Sequence, residues 1–254
     1  MEGKIIINTR PLASEDRITE ALEELGLNVL LMPLTEILPL TIPDQAQNDI
    51  FLEKKYTWLI FTSQNGVNSF FDCLLAKRWT QTLPFHTAVF GERTAETLLA
   101  KGWKPDLVNR GNSAIQLIPD LLSLLSFDDK VLLVLGDLAP HTLLEKLKEK
   151  VVVDRINAYA TLATAKVDES ILKRIARGEY DLILFTSPSG VKSFAKLAKD
   201  TSSIDLKTLK AVSLGRSTTE ALLSESIVPR VEAFPSGKEG LVSKLKEYFN
   251  ADNF

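Results

Sequence analysis

The chain has 254 residues, room for one large domain or two ordinary ones, with 45% hydrophobic and 25% charged residues, as expected of a globular protein. Against 33 acidic residues stand 30 basic ones, a net charge of -3, so no global field draws the chain toward nucleic acid or an anionic membrane. A single cysteine, Cys73, excludes an internal disulfide and a cysteine-based metal site.

The N-terminal "KIIIN" reads as a short buried strand. Its apolar core is too short for a signal peptide or a membrane span, and no later window is long enough without charge, so a cytoplasmic protein with no membrane partner is expected. Arg10 follows this strand and precedes Pro11. "ALEELG" has helical spacing, "LNVLLM" is a second strand, and "TEILPLTIP" is an extended, proline-bounded segment. "TWLIF" is another short apolar run, followed by "TSQNGVNSFF", in which turn and cap residues lead into helical spacing. "TAVFG" is a strand ending in glycine, and "ERTAETLLAKG" opens the next helix. "KVLLVLG", "LLEKLKEK" and "VVVDRINAY" repeat the strand, amphipathic helix, strand order of the first segment, and "NAYATLATA" is a second extended segment. "DLILF", "TSPSGVKSFA", "AVSLG" and "RSTTEALLSES" then reproduce the middle of the chain. The tail "NADNF" reads as a frayed end.

The last of these similarities is an internal duplication. Setting residues 56–107 over 180–231 without a gap gives fourteen identities, among them Phe61/Phe185, Ser63/Ser187, Gly66/Gly190, Phe70/Phe194, Gly91/Gly215 and Thr94/Thr218. Each copy is β–turn–α–β–turn–α, which implies a parallel sheet. The chain therefore reads A (about 4–37), B (about 56–108), A′ (about 130–159) and B′ (about 180–240), two similar α/β domains. The residues leave open whether A packs with B or with B′.

Parallel sheets bind ligands at the carboxyl ends of their strands, beside helix N-termini. Both copies place small polar residues there. Thr62, Ser63, Gln64, Asn65 and Gly66 form one loop, and Thr186, Ser187, Pro188, Ser189 and Gly190 form its counterpart. The loops Gly91–Thr94 and Gly215–Arg216–Ser217–Thr218 offer the same chemistry, in which first-turn N–H groups and hydroxyls suit anions. Helix capping alone accounts for Ser63, Ser187, Thr94 and Thr218 one at a time; the functional reading needs the four loops to face one cleft. Arg10 reads as a cation facing that cleft or as a structural ion pair, and Tyr159 as a phenol aimed into it or as strand packing. His86 and His141 are the only histidines, and no dinucleotide, P-loop, zincin or nucleophile-elbow motif occurs.

Together, "NTRP", "LGLNVLLMPLTEI", the two "FTSxxGV" stretches, "VFGERTAETL", "INAYAT" and "LGRSTTEAL" resemble the uroporphyrinogen-III synthase family along nearly the whole chain. The resemblance implies two flavodoxin-like parallel-sheet domains joined by a two-stranded linker. It assigns 1–36 plus 162–254 to one domain, 42–156 to the other, and 37–41 and 157–161 to the linker strands, so that A packs with B′. The implied enzyme is a lyase that takes hydroxymethylbilane as its small-molecule substrate. Ring A loses its hydroxyl, ring D attacks through its substituted carbon, and a spiro intermediate rearranges to uroporphyrinogen III with ring D inverted. No cofactor or metal is implied, and a monomer is expected. By the resemblance Tyr159 assists hydroxyl departure, while Ser63, Ser187, Thr94, Thr218 and their loops bind substrate carboxylates. The chain departs from the family where Leu135, rather than Arg, precedes Gly136, where the helix at Thr142 carries no Arg, and where Arg216 replaces a frequent proline. Arg216 is then the expected replacement for a lost cation. Two rival readings are a hinge-type small-ligand-binding protein without catalysis and a two-domain glycosyltransferase.

Overall fold

A computed structural model describes residues 2–12, 17–76, 85–111, 113–201 and 203–251. The last residues of the tail, 252–254, lie outside the described residues, while its helix runs through Ala251. The elements begin with β1 (Ile5–Asn8), α1 (Arg17–Glu24), β2 (Asn28–Leu31), β3 (Thr35–Pro39), α2 (Asp44–Phe51), β4 (Trp58–Phe61) and α3 (Gln64–Ala76). They continue with β5 (His86–Phe90), α4 (Glu92–Ala100), β6 (Leu107–Asn109), α5 (Leu117–Leu124), β7 (Lys130–Gly136), α6 (Thr142–Lys148) and β8 (Val152–Ala163). The chain closes with α7 (Glu169–Arg177), β9 (Leu182–Phe185), α8 (Pro188–Asp200), β10 (Ala211–Ser213), α9 (Arg216–Ser224), β11 (Val231–Glu232) and α10 (Lys238–Ala251).

Two compact units result: Met1–Glu36 with Leu162–Phe254 (unit 1), and Ile37–Thr161 (unit 2). Unit 1 holds a parallel sheet in the order β11-β10-β9-β1-β2. Numbered along unit 1 alone, this is the flavodoxin order 2-1-3-4-5. The second sheet runs β3-β8-β7-β4-β5-β6, and its pairs β8-β7, β7-β4, β4-β5 and β5-β6 are parallel. Setting aside the edge strand β3, the first of the other five strands is β4, inside the sheet, so their order along unit 2 is 3-2-1-4-5. The spatial arrangement matches that of unit 1, as expected of two similar parallel-sheet α/β domains, and only the connectivity differs. After β3, β4 to β6 come first in unit 2, and β7 and β8 follow. A parallel ladder is indifferent to which strand comes first when the crossovers are long enough to pass over the sheet.

The inner strands β1, β4, β7, β9 and β10 are buried on both faces, and their side chains alternate between two cores. In unit 2, Leu59, Phe61, Leu132 and Val134 face a core closed by Ile50, Val67, Phe70 and Leu98. Trp58, Ile60, Val131, Leu133 and Leu135 face the other, closed by Leu117, Leu121, Leu143 and Leu147. Unit 1 repeats the pattern, with Ile7, Ile183 and Phe185 on one side and Ile6, Leu182 and Leu184 on the other. The duplicated phenylalanines make the same contact twice. Phe61 and Phe70 meet edge-on at 5.6 Å, and Phe185 and Phe194 at 5.5 Å.

The duplicated glycines differ in their surroundings. A Cβ at Gly66 would stand 3.0 Å from the Val134 carbonyl oxygen, part of the central strand β7. A Cβ at Gly190 would meet only Ser187 Oγ at 3.5 Å and Thr9 Oγ1 at 3.9 Å, ordinary contacts. Gly190→Ala is therefore expected to raise stability by about 0.5–1 kcal/mol through helix propensity. Gly66→Ala should lower it by about 1–3 kcal/mol, because the opposing group is ladder backbone that cannot yield. Urea midpoints in the order Gly190→Ala, wild type, Gly66→Ala test the difference; equal shifts of one sign would refute it.

Candidate active site

Open parallel sheets offer their crevice where successive connections leave in opposite directions. In unit 2 this point lies between β4, which continues to β5, and β7, which continues to β8; in unit 1 it lies between β1 and β9. The Thr62–Gly66 loop after β4 stands at the first point and the Thr186–Gly190 loop after β9 at the second, while the loops at Gly91 and Gly215, after β5 and β10, lie one strand farther out.

In unit 2, β4 ends at Phe61 and the chain turns through Thr62 and Ser63 into α3. Ser63 Oγ accepts the Gly66 N–H at 3.1 Å, the capping bond expected of a serine at this position. The N–H groups of Gln64 and Asn65 find no protein acceptor among the described residues. The Gln64 side chain turns to α4, where its amide donates to Thr97 Oγ1 at 3.2 Å. Gly91 stands before α4 with φ 87°, a conformation that favours glycine.

Tyr159 reaches this loop from β8. Leu135 of β7 pairs with Asn157 but Gly136 pairs with Tyr159, so β8 carries one extra residue here. The shift sets the Tyr159 ring against Gly136, where an ideal Cβ would come within 2.5 Å of Cζ and 2.7 Å of the phenol oxygen. The half-buried ring packs on the core of α3 and α4, and its hydroxyl lies 3.0 Å from Ser63 Oγ. Burial pushes the phenol pKa above its ordinary value; the Ser63 hydrogen bond opposes this, and the nearby Asp137 charge adds to it. The group is thus a neutral donor at physiological pH. Asp137 also locks the strand locally, because its N–H donates to the Tyr159 carbonyl at 3.0 Å and its carboxylate accepts the Thr161 N–H at 3.0 Å. Tyr159 lies inside the twelve-residue strand β8 and pairs with β7, so segment 157–161 is continuous with a sheet strand.

In unit 1, Ser187 Oγ accepts the Gly190 N–H at 3.2 Å and lies 3.0 Å from Ser189 Oγ. Pro188 takes the first helical position, where its missing N–H would have had no helical partner. Thr9, buried beside this loop, donates its hydroxyl to the Leu184 carbonyl at 2.8 Å. Arg10 is half-buried, and its backbone N–H donates to Asn8 Oδ1 at 3.1 Å. In the first turn of α9, Arg216 and Ser217 are exposed, and the Arg216 Nε donates to Glu220 at 3.0 Å.

Thr94 and Thr218 correct one expectation. Gly91 and Gly215 occupy the cap positions of α4 and α9, so the threonines fall at the third helical position and are buried, 4% and 3% exposed. They do not cap their helices. Three further residues were not singled out in the sequence. Ser236 packs against Gly215, leaving no space for a Cβ there; the turn "FPSG" was the available signal. Asp137 and Arg155 hold the turn after β7, and no local pattern announces them. No group of three His, Cys, Asp or Glu side chains able to hold a metal occurs among the described residues, and no described helix is long and apolar enough to cross a membrane.

The sequence model described as Uroporphyrinogen-III synthase HemD matches residues 16–243. The porphyrin biosynthesis protein HemD of Ruminiclostridium josui is 28% identical over 248 residues, covering 96% of this chain and 48% of that protein. The chain thus spans about half the length of that relative. The uroporphyrinogen-III synthase of Synechococcus elongatus is 24% identical over 237 residues, 91% of this chain and 89% of that one. Among solved structures, a mutant uroporphyrinogen III synthase from Thermus thermophilus aligns with a TM-score of 0.65 over 99% of each chain at 22% identity, a likeness of fold.

Gly136→Ala is expected to displace the Tyr159 ring and break its contact with Ser63. A phenol pKa raised by folding stabilises fully below the ordinary tyrosine value of about 10, and that contribution is lost as pH climbs through the higher folded value. Alkaline absorbance titration, with Tyr159→Phe as the subtraction, should show Tyr159 ionising above about 10 in the wild type and moving back toward that value in Gly136→Ala. An unchanged titration in the variant would contradict the assigned packing.

Proposed function

The chain belongs to the uroporphyrinogen-III synthase family, an enzyme family of cyclising lyases in haem biosynthesis, and from that premise we propose that it closes hydroxymethylbilane to uroporphyrinogen III. The observation that carries this reading is a half-buried, neutral phenol seated on Ser63 at the switch point of unit 2, in a chain the family's model matches along residues 16–243. The Tyr159 hydroxyl donates to the hydroxyl leaving ring A, while the Ser63 hydroxyl donates to the phenol oxygen and polarises it. The C–O bond breaks as the ring-A nitrogen lone pair moves into the ring, and an azafulvene cation remains. The substituted carbon of ring D attacks that cation to give a spiro intermediate. The original bridge bond at the spiro centre then breaks and re-forms at the free α-carbon of ring D on the other side of its nitrogen, and loss of the proton from that carbon completes the elimination of water with ring D inverted.

The substrate loses hydroxide readily, so the protein's main task is to hold the chain in the conformation that favours inversion over head-to-tail closure. Each unit offers a proposed cradle of N–H groups and hydroxyls for carboxylates. Unit 2 supplies Thr62, Ser63, Gln64, Asn65, Gly66 and the Gly91–Thr94 loop. Unit 1 supplies Arg10, Ser187, Pro188, Ser189, Gly190 and the loop Gly215, Arg216, Ser217 and Thr218. The two copies differ in donors: Gln64 offers an N–H where Pro188 has none. The cytoplasmic monomer expected from the sequence remains part of this proposal. The comparisons do not favour the alternative of a hinge-type binding protein.

Three measurements test the reading. Supplied with hydroxymethylbilane, the protein should form isomer III well above the spontaneous isomer I; isomer I alone would overturn the assignment. Tyr159→Phe should lower kcat about tenfold or more with the fold intact, in line with loss of a positioned donor, and full activity would remove the phenol from the mechanism. Gln64→Pro gives the first loop the donor set of the second and should raise KM about tenfold at near-constant kcat, the worth of one charged hydrogen bond. An unchanged KM would remove the Gln64 N–H from the cradle.

A further inference from the structure

We propose that Arg155 is a positioning residue for Tyr159, acting through the turn Gly136–Ala139. The inference rests on the reading that Tyr159 serves closure of the bilane. It begins with an accounting of carbonyls. At the end of β7 and in the turn after it, the carbonyl oxygens of Gly136, Asp137 and Ala139 need donors. Arg155, on the adjacent strand opposite Leu133, supplies them. Its Nη2 donates to Gly136 O at 2.8 Å and to Asp137 O at 3.2 Å, and its Nη1 donates to Ala139 O at 2.9 Å. Its Nε donates to Asn157 Oδ1 at 2.9 Å, which holds the guanidinium plane in place. No carboxylate pairs with the half-buried Arg155 among the described residues, so its cation is spent on backbone dipoles.

The turn that Arg155 grips is the one that seats Tyr159. Gly136 faces the ring without room for a Cβ, and the Asp137 N–H holds the Tyr159 carbonyl at 3.0 Å. Gly136 O also accepts the Ala139 N–H at 3.1 Å, so carbonyl and turn move as one. Without the guanidinium the Asp137 and Ala139 carbonyls lose this donor, Gly136 O keeps only the Ala139 N–H, and the turn relaxes. A shift of a few tenths of an ångström at Gly136 passes directly to the 3.0 Å contact between the phenol and Ser63. Lysine cannot replace this arrangement, because one ammonium cannot span three carbonyls and Asn157 in a fixed plane.

The test is a double-mutant cycle with hydroxymethylbilane, comparing wild type, Arg155→Met, Tyr159→Phe and the double variant, with Arg155→Lys as the conservative replacement. Arg155→Met should lower kcat about tenfold with KM within about twofold, and Arg155→Lys should recover less than half of that loss. In the Tyr159→Phe background Arg155→Met should change kcat by less than about twofold, because the phenol it positions is gone. A residue that only stabilised the fold would lower the melting temperature and leave kcat per folded molecule unchanged. That result overturns the proposal, as does an equal loss in both backgrounds. Where Arg155→Met does not fold, the same cycle is read with Arg155→Lys by the same criteria. A wild type that makes isomer I alone defeats the functional reading and the proposal with it, whereas isomer III with an additive cycle defeats Arg155 alone.

Discussion

The Tyr159 ring lies where it does because position 136 has no Cβ. From that vacancy a closed circuit of contacts can be traced. Gly136 abuts the ring, the phenol meets Ser63, Ser63 Oγ caps Gly66, and Gly66 rests on the Val134 carbonyl, two residues before Gly136 on the same strand. No link is strong: a neutral hydrogen bond contributes about 1 kcal/mol net. Placement comes from closure, since moving any member strains the next. The register shift in β8 completes the arrangement, because an unshifted ladder would set Ala158 opposite Gly136.

The chemistry of this corner follows from burial more than from charge. A half-buried phenol keeps its proton, and the donors around it are hydroxyls and first-turn N–H groups. A chain of net charge -3 can meet a polyanion in this way without a basic stripe. The guanidinium nearest the turn, Arg155, faces carbonyl oxygens, and Arg216 faces Glu220.

The duplication was legible because both copies obey the same local rules. Phe61 and Phe185 end strands, and Ser63 and Ser187 accept the N–H three residues on. These are contacts within one turn, and residue type and spacing suffice to announce them. Thr94 and Thr218 show the limit of that logic. Their position beside glycine suits a cap, but the glycine already fills the cap site and turns the threonines inward. Local pattern also missed Asp137, Arg155 and Ser236, whose partners lie far along the chain or in another loop.

By itself the sequence determined the repeated β–turn–α units, the burial of their strands on both faces and the two serine caps, because each depends on neighbours a few residues apart. The tertiary structure decided the rest: β1 lies beside β9 and β7 beside β4. It also decided that Tyr159 meets Ser63, 96 residues away in the chain. Such pairings are set by which apolar faces and unpaired ladder edges fit together once strands exist, and spacing along a chain carries no record of that fit.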